Sequence, residues 1–447
     1  MLRNIHALGR VLREVLMKIR VAVIFGGKST EHEISIISAI QAIHAMDPER
    51  YEVIPVYMTK ENDCYTGEGV GEIESYQQDL KNLYAKAVHV DWTKDGDRVF
   101  LMRHDRKRFG DNMVTQVDIA FPIVHGTNME DGTLTGFLAT LGLPVVGCDV
   151  LSSAVGMDKY VMKTVLKDNN IPVLDCVLLT AKDNAEPEKM YEKIEEKIAY
   201  PVIVKPVNLG SSVGITKASD REKLTDALEL AFTFSGKVLV ERAVTNLKEV
   251  NCAVLGDYEE ARASECESPV AHDDILSFQD KYMSGGGKNV GAGYKNAGAK
   301  SAATGTGKLS APLAVGAGGS KSAACAGMKN GGSKGAGMAS LSRKLPADIT
   351  DEKRTEIREM AVKAFQTLGC AGVTRIDFMM DLDDGGKVYL NEVNTVPGSL
   401  SFYLWEPLGL SYTELLNEMI ELALKAQREK NRMVYSFDTN VLAGVRV

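Results

Sequence analysis

Short apolar segments alternate with amphipathic ones along most of the chain, which is the pattern of an α/β protein. Residues 19–25 are apolar and rich in β-branched side chains, and two glycines follow, as expected of a buried parallel strand that meets a turn. Apolar residues then recur at helical spacing over residues 31–45, and residues 51–58 predict a second strand. The chain is therefore predicted to open with a βαβ unit.

The later segments continue this alternation and place polar residues just after strands. A strand predicted at residues 117–124 is followed by His125, and one predicted at 201–206 leads into a Gly/Ser loop. Open α/β sheets bind ligands at such strand ends. The remaining predicted elements are a hairpin around residues 95–97, a helix at 158–169, a strand at 238–241, a helix at 351–368, paired strands at 373–380 and 387–394, and a last helix at 412–430.

A segment of low complexity interrupts this pattern at residues 284–344. Gly, Ala, Ser and Lys dominate it, and it contains no Asp or Glu. Such a composition offers too little apolar surface to offset the entropy lost on ordering, so a mobile basic loop is expected. It can be interpreted as a tolerated insertion or as a basic tether for a polyanion or a partner.

The composition is that of a soluble globular protein with several domains: 447 residues, 25% charged and 45% hydrophobic, with a net charge of -8. This acidic balance argues against general nucleic-acid binding, and no apolar segment is long enough for a membrane span. Seven cysteines without a C-x-x-C pair indicate neither a zinc site nor a disulfide framework, which fits a cytoplasmic protein. Residues 1–18 are predicted to be an appended leader rather than a secretory signal.

Polar residues on the last predicted strand pair form the strongest candidate site. Arg375 and Asp377 alternate on one strand, and Glu392 and Asn394 alternate on the next, so each pair shares a face. Two carboxylates and an amide oxygen are hard ligands suited to Mg²⁺ shared with phosphates, and a guanidinium suits an oxyanion. A cross-strand salt bridge with solvated acids remains the alternative interpretation.

Two strand ends in the middle of the chain could bind a nucleotide. Lys205 ends an apolar strand and precedes a small-residue loop at 210–212, whose backbone N–H groups could approach phosphates. Glu241 ends another strand before backbone that could pair with an adenine edge, and Glu249 could accept from ribose hydroxyls. Taken alone, a simple turn and a solvated acid explain these residues equally well.

The fourth cluster lies near the N-terminus, where a glycine turn feeds a helix. Helix N-termini favour anions because of the helix dipole. Glu31 stands at this point, and it could equally be an ordinary acid of a first helical turn. His125 could likewise be a hydrogen-bonded histidine at a strand end.

Taken in order, these clusters resemble the D-alanine–D-alanine ligase family of the ATP-grasp superfamily. The similarity covers about residues 19–427 except 284–344 and rests on eight collinear motifs: GGKSTEHEIS, HGTNMEDGTLTGFLATLGLPVVG, MDKYVMK, PVIVKPVNLGSSVGI, VLVERAV, DKY, RIDF and NEVNTVPG. It implies an α/β ATP-grasp fold with three domains at 19–148, 149–240 and 241–430, a tail at 431–447, and an ATP site between the last two domains.

The resemblance also implies the activity, the ligands and the roles of individual residues. The expected reaction is ATP-dependent ligation of two D-alanines through an acyl-phosphate for peptidoglycan precursors, with two Mg²⁺ ions (or Mn²⁺), by a cytoplasmic homodimer. The first D-alanine is assigned to Glu31 and His125, a hydrogen-bonded relay to Ser211 and Tyr282, and the oxyanion to Arg375 and the N–H of Gly398. ATP is assigned to Lys159, Lys205, Ser212, Glu241, Ala243, Val244, Glu249 and Lys281, and the metal to Asp377, Glu392 and Asn394.

The second substrate is the least determined part of this prediction. Tyr403 and Leu404 stand where the family commonly has a small hydroxyl residue and a leucine beside the second substrate's carboxylate. Tyr282 favours an amine acceptor over D-lactate, but PGSLSFYLWE resembles the D-alanine–D-serine branch, so D-serine stays open. An inactive homologue that binds a partner through the basic insertion is the alternative from another class, although the intact metal ligands argue against it.

Overall fold

The computed structural model describes residues 18–77, 79–210, 213–270 and 343–435. The predicted leader before residue 18, nearly all of the low-complexity segment, and Ser211, Ser212, Lys281 and Tyr282 lie outside these ranges. The strands are β1 Ile19–Gly26, β2 Tyr51–Met58, β3 Cys64–Thr66, β4 Val88–Asp95, β5 Arg98–Arg103, β6 Met113–Val117, β7 Ile119–Pro122, β8 Cys176–Thr180, β9 Val202–Pro206, β10 Thr216–Ala218, β11 Lys237–Arg242, β12 Leu247–Gly256, β13 Ala261–Pro269, β14 Arg343–Lys344, β15 Gly372–Asp381 and β16 Lys387–Asn394.

The α-helices lie between and after these strands, and the four helices predicted from the sequence match the observed ends to within one residue. They are α1 His32–Ala45, α2 Lys81–Lys86, α3 Thr133–Leu141, α4 Val150–Met157, α5 Lys159–Asp168, α6 Ala181–Asn184, α7 Pro187–Glu195, α8 Arg221–Phe234, α9 Asp351–Thr367 and α10 Tyr412–Lys430. Side-chain caps mark several starts: Asp158 accepts from two backbone N–H groups at the start of α5, and Ser411 with Glu414 forms a capping box on α10.

The first sheet has seven strands in the order β6-β5-β4-β3-β2-β1-β7. β1 pairs in parallel with β2 and β7, which confirms the predicted βαβ opening. The single strand predicted at 117–124 is wrong, because the chain changes neighbours at Asp118. This residue accepts hydrogen bonds from the backbone and guanidinium N–H groups of Arg20, and it separates β6 from β7.

Two antiparallel sheets follow along the chain. The second sheet has the order β10-β9-β11-β8, and the third has the order β14-β13-β12-β15-β16. β11 continues to Arg242, so its end lies two residues beyond the domain limit predicted at 240. The mixed α/β class predicted from the sequence is confirmed. Within the described ranges, no helix is long and apolar enough to cross a membrane.

The largest hydrophobic cluster joins the first sheet to the end of the chain. Side chains of β1 and α1 pack together with Leu400, Leu404, Trp405 and the inner face of α10. This packing holds the turn after β16 against the loops of the first sheet. Polar residues from both ends of the sequence therefore meet at one place.

Candidate functional site

The register of β15 and β16 brings four candidate residues together. Arg375 is the cross-strand partner of Asn394, and Asp377 is the partner of Glu392. The Arg375 guanidinium donates to both Asp377 oxygens, with distances of 2.6 Å from Nε to Oδ1 and 2.7 Å from Nη2 to Oδ2. Asn394 Nδ2 donates to Asp377 Oδ2 at 3.1 Å. Arg375 and Asp377 therefore share a face, as predicted. A bidentate salt bridge to Arg375 engages the carboxylate of Asp377.

A β-bulge beside this cluster brings in a residue that the sequence analysis did not select. Asn391 is the extra residue between Leu390 and Glu392, which pair with Phe378 and Asp377. A bulge redirects a side chain locally. Asn391 Oδ1 accepts from Lys205 Nζ at 3.2 Å, so the bulge links the third sheet to the second.

Lys205 belongs to a buried cluster of two lysines and one glutamate. Glu241 forms ion pairs with Lys205 and with Lys163, the latter at 2.7 Å. All three side chains are almost fully buried. Burial alone would raise the pKa of Glu241, but the two lysines outweigh it and hold the pKa at about 2. Two ammonium groups against one carboxylate leave a net positive charge that could meet phosphate.

Lys163 was missed from the sequence, although a signal for it exists. It lies four residues after Lys159 on α5, and residues at this spacing share a helix face. Lys159 Nζ donates to the carbonyl of Leu209 at 2.5 Å and lies 3.9 Å from Glu392 Oε2. Lys163 and Lys159 therefore serve different neighbours, the first at Glu241 and the second near the predicted metal ligands.

The other residues predicted to contact the nucleotide lie on or after β11. Ala243 is buried, and its N–H donates to the carbonyl of Pro201 at 2.9 Å. Val244 follows it and is partly exposed. Glu249 lies on β12 opposite Met379. Glu241 lies within β11, which continues to Arg242, and its side chain is paired with Lys163 and Lys205.

At the first sheet, Glu31 lies against two glycines of neighbouring loops. A Cβ added to Gly126 would come 2.7 Å from Glu31 Oε2, and one added to Gly210 would come 3.0 Å from the same atom. The side chain is buried. Thr127 Oγ1 also donates to the carbonyl of Asn208 at 2.7 Å, which ties the loop after His125 to the loop before residue 211.

Glu130, which the sequence analysis did not select, connects this region to the end of β16. Its carboxylate accepts from the backbone N–H of Val396 at 2.9 Å, from Thr395 Oγ1 at 3.3 Å and from the N–H of Gly126 at 3.2 Å. Burial and then the negative charge of Glu31 raise the pKa of Glu130 to about 7. The EDGT motif marked its position, but nothing in the sequence showed its partners.

His125 is held in one tautomer by two hydrogen bonds. Nδ1 faces the carbonyl of Val396 at 2.9 Å and must donate to it, so Nε2 accepts from Ser38 Oγ at 2.9 Å. Ser38 Oγ in turn accepts from the N–H of Ser399 at 3.0 Å. Burial lowers the pKa of His125 to about 4, and the neutral ring therefore ties the first sheet to the turn after β16.

That turn begins at Gly398 and is conformationally unusual. Ser399, Leu400 and Ser401 all have positive φ, between 49° and 52°. Non-glycine residues rarely adopt this region, and such strain clusters at functional sites. Leu404 is fully buried in the largest hydrophobic cluster, so the structure gives it a packing role. Tyr403 is buried, and its hydroxyl donates to Glu267 Oε1 at 3.2 Å.

The oxygen donors near β15 and β16 fit a magnesium ion. Asp377, Glu392 and Asn394 are neighbours through the strand register, and their oxygens are the hard ligands that Mg²⁺ prefers. Asn394 presents its amide nitrogen to Asp377, so a 180° flip of that amide would present its oxygen instead. The nearby Lys159 would share the charge of a bound phosphate.

Family models and full-length relatives match this chain. The model described as "D-ala D-ala ligase N-terminus" matches residues 20–148, and "D-ala D-ala ligase C-terminus" matches residues 165–307 and 334–421. The D-alanine–D-alanine ligase of Thermoanaerobacter sp. (strain X514) is 35% identical over 426 residues, which cover 93% of this chain and 99% of the relative. That of Thermosipho melanesiensis is 32% identical over 95% of this chain and 98% of the relative.

Solved structures show the same fold. The VanG D-Ala:D-Ser ligase of Enterococcus faecalis superimposes with a TM-score of 0.67 at 28% identity, covering 91% of this chain and all of that one. The three-sheet architecture is thus the ATP-grasp fold predicted from the sequence. On its motifs, its fold and its full-length relatives, the chain belongs to the D-alanine–D-alanine ligase family.

Proposed function

We propose that this protein ligates two D-alanines to D-alanyl-D-alanine at the expense of ATP. The observation that carries the proposal is the meeting of a positively charged cluster, Lys163–Glu241–Lys205, with the carboxylates of Asp377 and Glu392 across the Lys205–Asn391 contact. A carboxylate must be activated before an amine can attack it. A site that offers both cations for phosphate and acids for a metal suits that activation.

The reaction has two steps with separate demands. The first D-alanine's carboxylate attacks the γ-phosphorus of ATP, giving the acyl-phosphate and ADP. Mg²⁺, when held by Asp377, Glu392 and Asn394, would neutralise phosphate charge. The amine of the second D-alanine, once deprotonated, then attacks the acyl carbon, phosphate leaves with the bonding electrons, and the nitrogen gives its extra proton to that phosphate. Arg375 would steady the oxyanion of this step, and the N–H of Gly398 would be its second donor.

The first D-alanine is proposed to bind beside Glu31. Its buried carboxylate would pair with the substrate's ammonium, and the lack of a side chain at Gly126 and Gly210 lets that carboxylate lie against both loops. His125, neutral and held between Ser38 and Val396, would fix the neighbouring turn rather than transfer a proton. For Ser211 and Tyr282 we retain the relay role that the family resemblance implies. For Ser212 and Lys281 we retain the implied contacts with ATP.

Two wider assignments also rest on described residues. Apolar side chains of α3 to α5 are exposed, among them Phe137, Val150 and Leu151, and we propose that they bury one another in a homodimer. Sedimentation should show a dimer that Leu151→Asp weakens.

The six described cysteines are free thiols, which supports a cytoplasmic setting.

The activity is tested by measuring ADP release with ATP and D-alanine alone, with D-alanine plus D-serine, and with D-alanine plus D-lactate. Products are identified by mass. D-Alanyl-D-alanine should be the main product. If D-alanyl-D-serine predominates, the protein has instead the D-Ala:D-Ser ligase activity for which the VanG structure is named. If no D-amino acid stimulates ADP release, the ligase proposal fails.

A further inference from the structure

Four polar residues form a row across the third sheet, and only two of them are accounted for by the proposed metal site. Glu392 pairs with Asp377, Asp377 with Asn251, and Asn251 with Glu267, on the adjacent strands β16, β15, β12 and β13. Cross-strand partners point to one face. Glu267 therefore shares the face of the proposed metal ligands, about 10 Å from Asp377 at two strand spacings.

Glu267 is buried and fully engaged by three donors. Asn251 Nδ2 lies 3.1 Å from Oε1, the Tyr403 hydroxyl lies 3.2 Å from Oε1, and Arg343 Nη1 lies 2.9 Å from Oε2. An ionised carboxylate is costly to bury unless such partners are present. These donors come from three separate parts of the chain. Packing of the sheet alone would be served as well by an apolar residue, so this carboxylate has a more specific task.

Arg343 and Tyr403 form one rigid unit around that carboxylate. The Arg343 guanidinium carbon lies 3.8 Å from the centroid of the Tyr403 ring, a close cation–π contact. Burial and then the charge of Glu267 raise the pKa of Tyr403 to about 12, so its hydroxyl stays protonated and donates to Glu267. The charge of Glu267 also acts on Arg375, the proposed oxyanion donor.

We propose that Glu267 is a positioning residue that holds Arg343 and Tyr403 as a wall of the second amino acid's site. This inference rests on the proposed function. Arg343 presents its positively charged guanidinium to the carboxylate of the acceptor amino acid. The Tyr403 ring limits the space beside the side chain of that amino acid. Because the single phenolic proton is committed to Glu267, the Tyr403 side of this wall offers no donor to a serine hydroxyl. It therefore favours the methyl group of D-alanine over D-serine.

The test separates the two half-reactions in the full-length protein. Hydroxylamine traps the acyl-phosphate as D-alanyl hydroxamate, so it reports the first step without a second amino acid. Glu267→Gln should retain hydroxamate formation within about twofold. It should lower kcat/KM for the second D-alanine about tenfold or more, as expected for the loss of a charged hydrogen bond. The D-serine to D-alanine product ratio should rise, because the carboxylate no longer fixes the tyrosine.

Two further variants control this result. Glu265→Gln breaks an ion pair with Arg354 from the same strand β13, and it should change neither the product ratio nor the half-reaction balance. Tyr403→Phe keeps the ring under Arg343 but removes the hydroxyl, so its effect should be smaller than that of Glu267→Gln. Equal losses in hydroxamate and dipeptide would assign Glu267 a merely structural role and overturn the inference. Absence of hydroxamate with the unchanged protein would instead defeat the proposed function.

Discussion

Two charged clusters face each other in this molecule, and they are built in opposite ways. Lys163, Glu241 and Lys205 are almost fully buried and carry one excess positive charge. Arg375, Asp377 and Glu392 lie on the neighbouring sheet, are less completely buried, and have two carboxylates for one guanidinium, with Lys159 3.9 Å from Glu392. The first cluster is therefore suited to an anion and the second to a cation. A metal–nucleotide complex has both charges and matches the pair.

The sharpest test of this division is removal of a carboxylate from the acidic cluster. Glu392→Gln should lower kcat/KM by about 10²–10³-fold and raise the Mg²⁺ concentration needed for half-maximal rate, because phosphate charge loses its counterion. Steady-state rates across a Mg²⁺ titration measure both effects. Asp383→Asn removes an exposed acid from the turn of the same hairpin and serves as the control. Equal metal dependence in the two variants would contradict the assignment.

The positive cluster should be tested through stability, because its carboxylate, that of Glu241, is almost fully buried. Glu241→Gln leaves Lys163 and Lys205 without their counterion, and losing one partner of a buried ion pair costs about 3–5 kcal/mol. Urea unfolding measures the change. Glu195→Gln breaks the exposed pair with Arg221 and should have a far smaller effect. If both variants unfold at similar urea concentrations, the buried cluster is not a stabilising unit.

The two clusters also differ in how far the sequence revealed them. The acidic pair was predictable, because a period of two fixes the face on each strand, and the Asp-Gly-Gly turn fixes the hairpin. Lys205 and Glu241 were each selected but not as partners, since the contact depends on how β9 and β11 align. Asn391 could not be found, because a bulge breaks the alternation on which the prediction relied.

Contacts between distant segments were out of reach for a related reason. Glu130, Glu267 and Arg343 acquire their roles from neighbours many residues away, and sequence spacing says nothing about such pairs. The fold itself was mostly predictable, as strand and helix periodicity is local. The division at Asp118 was missed because a continuous apolar segment hides the point at which the chain changes neighbours.

The close contact between Gly126 and Glu31, at the proposed site of the first D-alanine, gives a third test with a smaller expected effect. In Gly126→Ala, the new Cβ would come 2.4 Å from Ser29 Oγ and 2.7 Å from Glu31 Oε2, so the carboxylate must shift. We expect KM for the first D-alanine to rise about tenfold, as misplacement of a binding group does. Gly96→Ala has the same left-handed backbone strain but open space around the Cβ. A similar KM in both variants would refute a role for this contact.

The finest test compares the pH dependence of two carboxylates, Glu241 and Glu130, whose charged neighbours have opposite signs. Lysines hold the pKa of Glu241 at about 2, whereas burial and Glu31 raise that of Glu130 to about 7, against an ordinary value of 4.5 for each. Between pH 2 and pH 4.5 the Glu241 carboxyl binds more protons in the unfolded chain than in the folded protein. Its contribution to the free energy of unfolding is therefore present above pH 4.5 and is lost as pH falls towards 2. For Glu130 the folded protein binds more protons, so stability is lost as pH rises from 4.5 through 7.

Urea unfolding of the unchanged protein, Glu241→Gln and Glu130→Gln across pH therefore yields two slopes of opposite sign. The free-energy difference between the unchanged protein and Glu241→Gln should shrink on acidification below pH 4.5. The free-energy difference between the unchanged protein and Glu130→Gln should fall as pH rises from 4.5 to 7, and it should level off above pH 7. Slopes of the same sign would mean that Glu130 also has a cation beside it, and the contrast between the two clusters would then be lost. Opposite slopes would show that cations surround Glu241 but not Glu130, and the side proposed for the first substrate would remain acidic, where a substrate ammonium can bind.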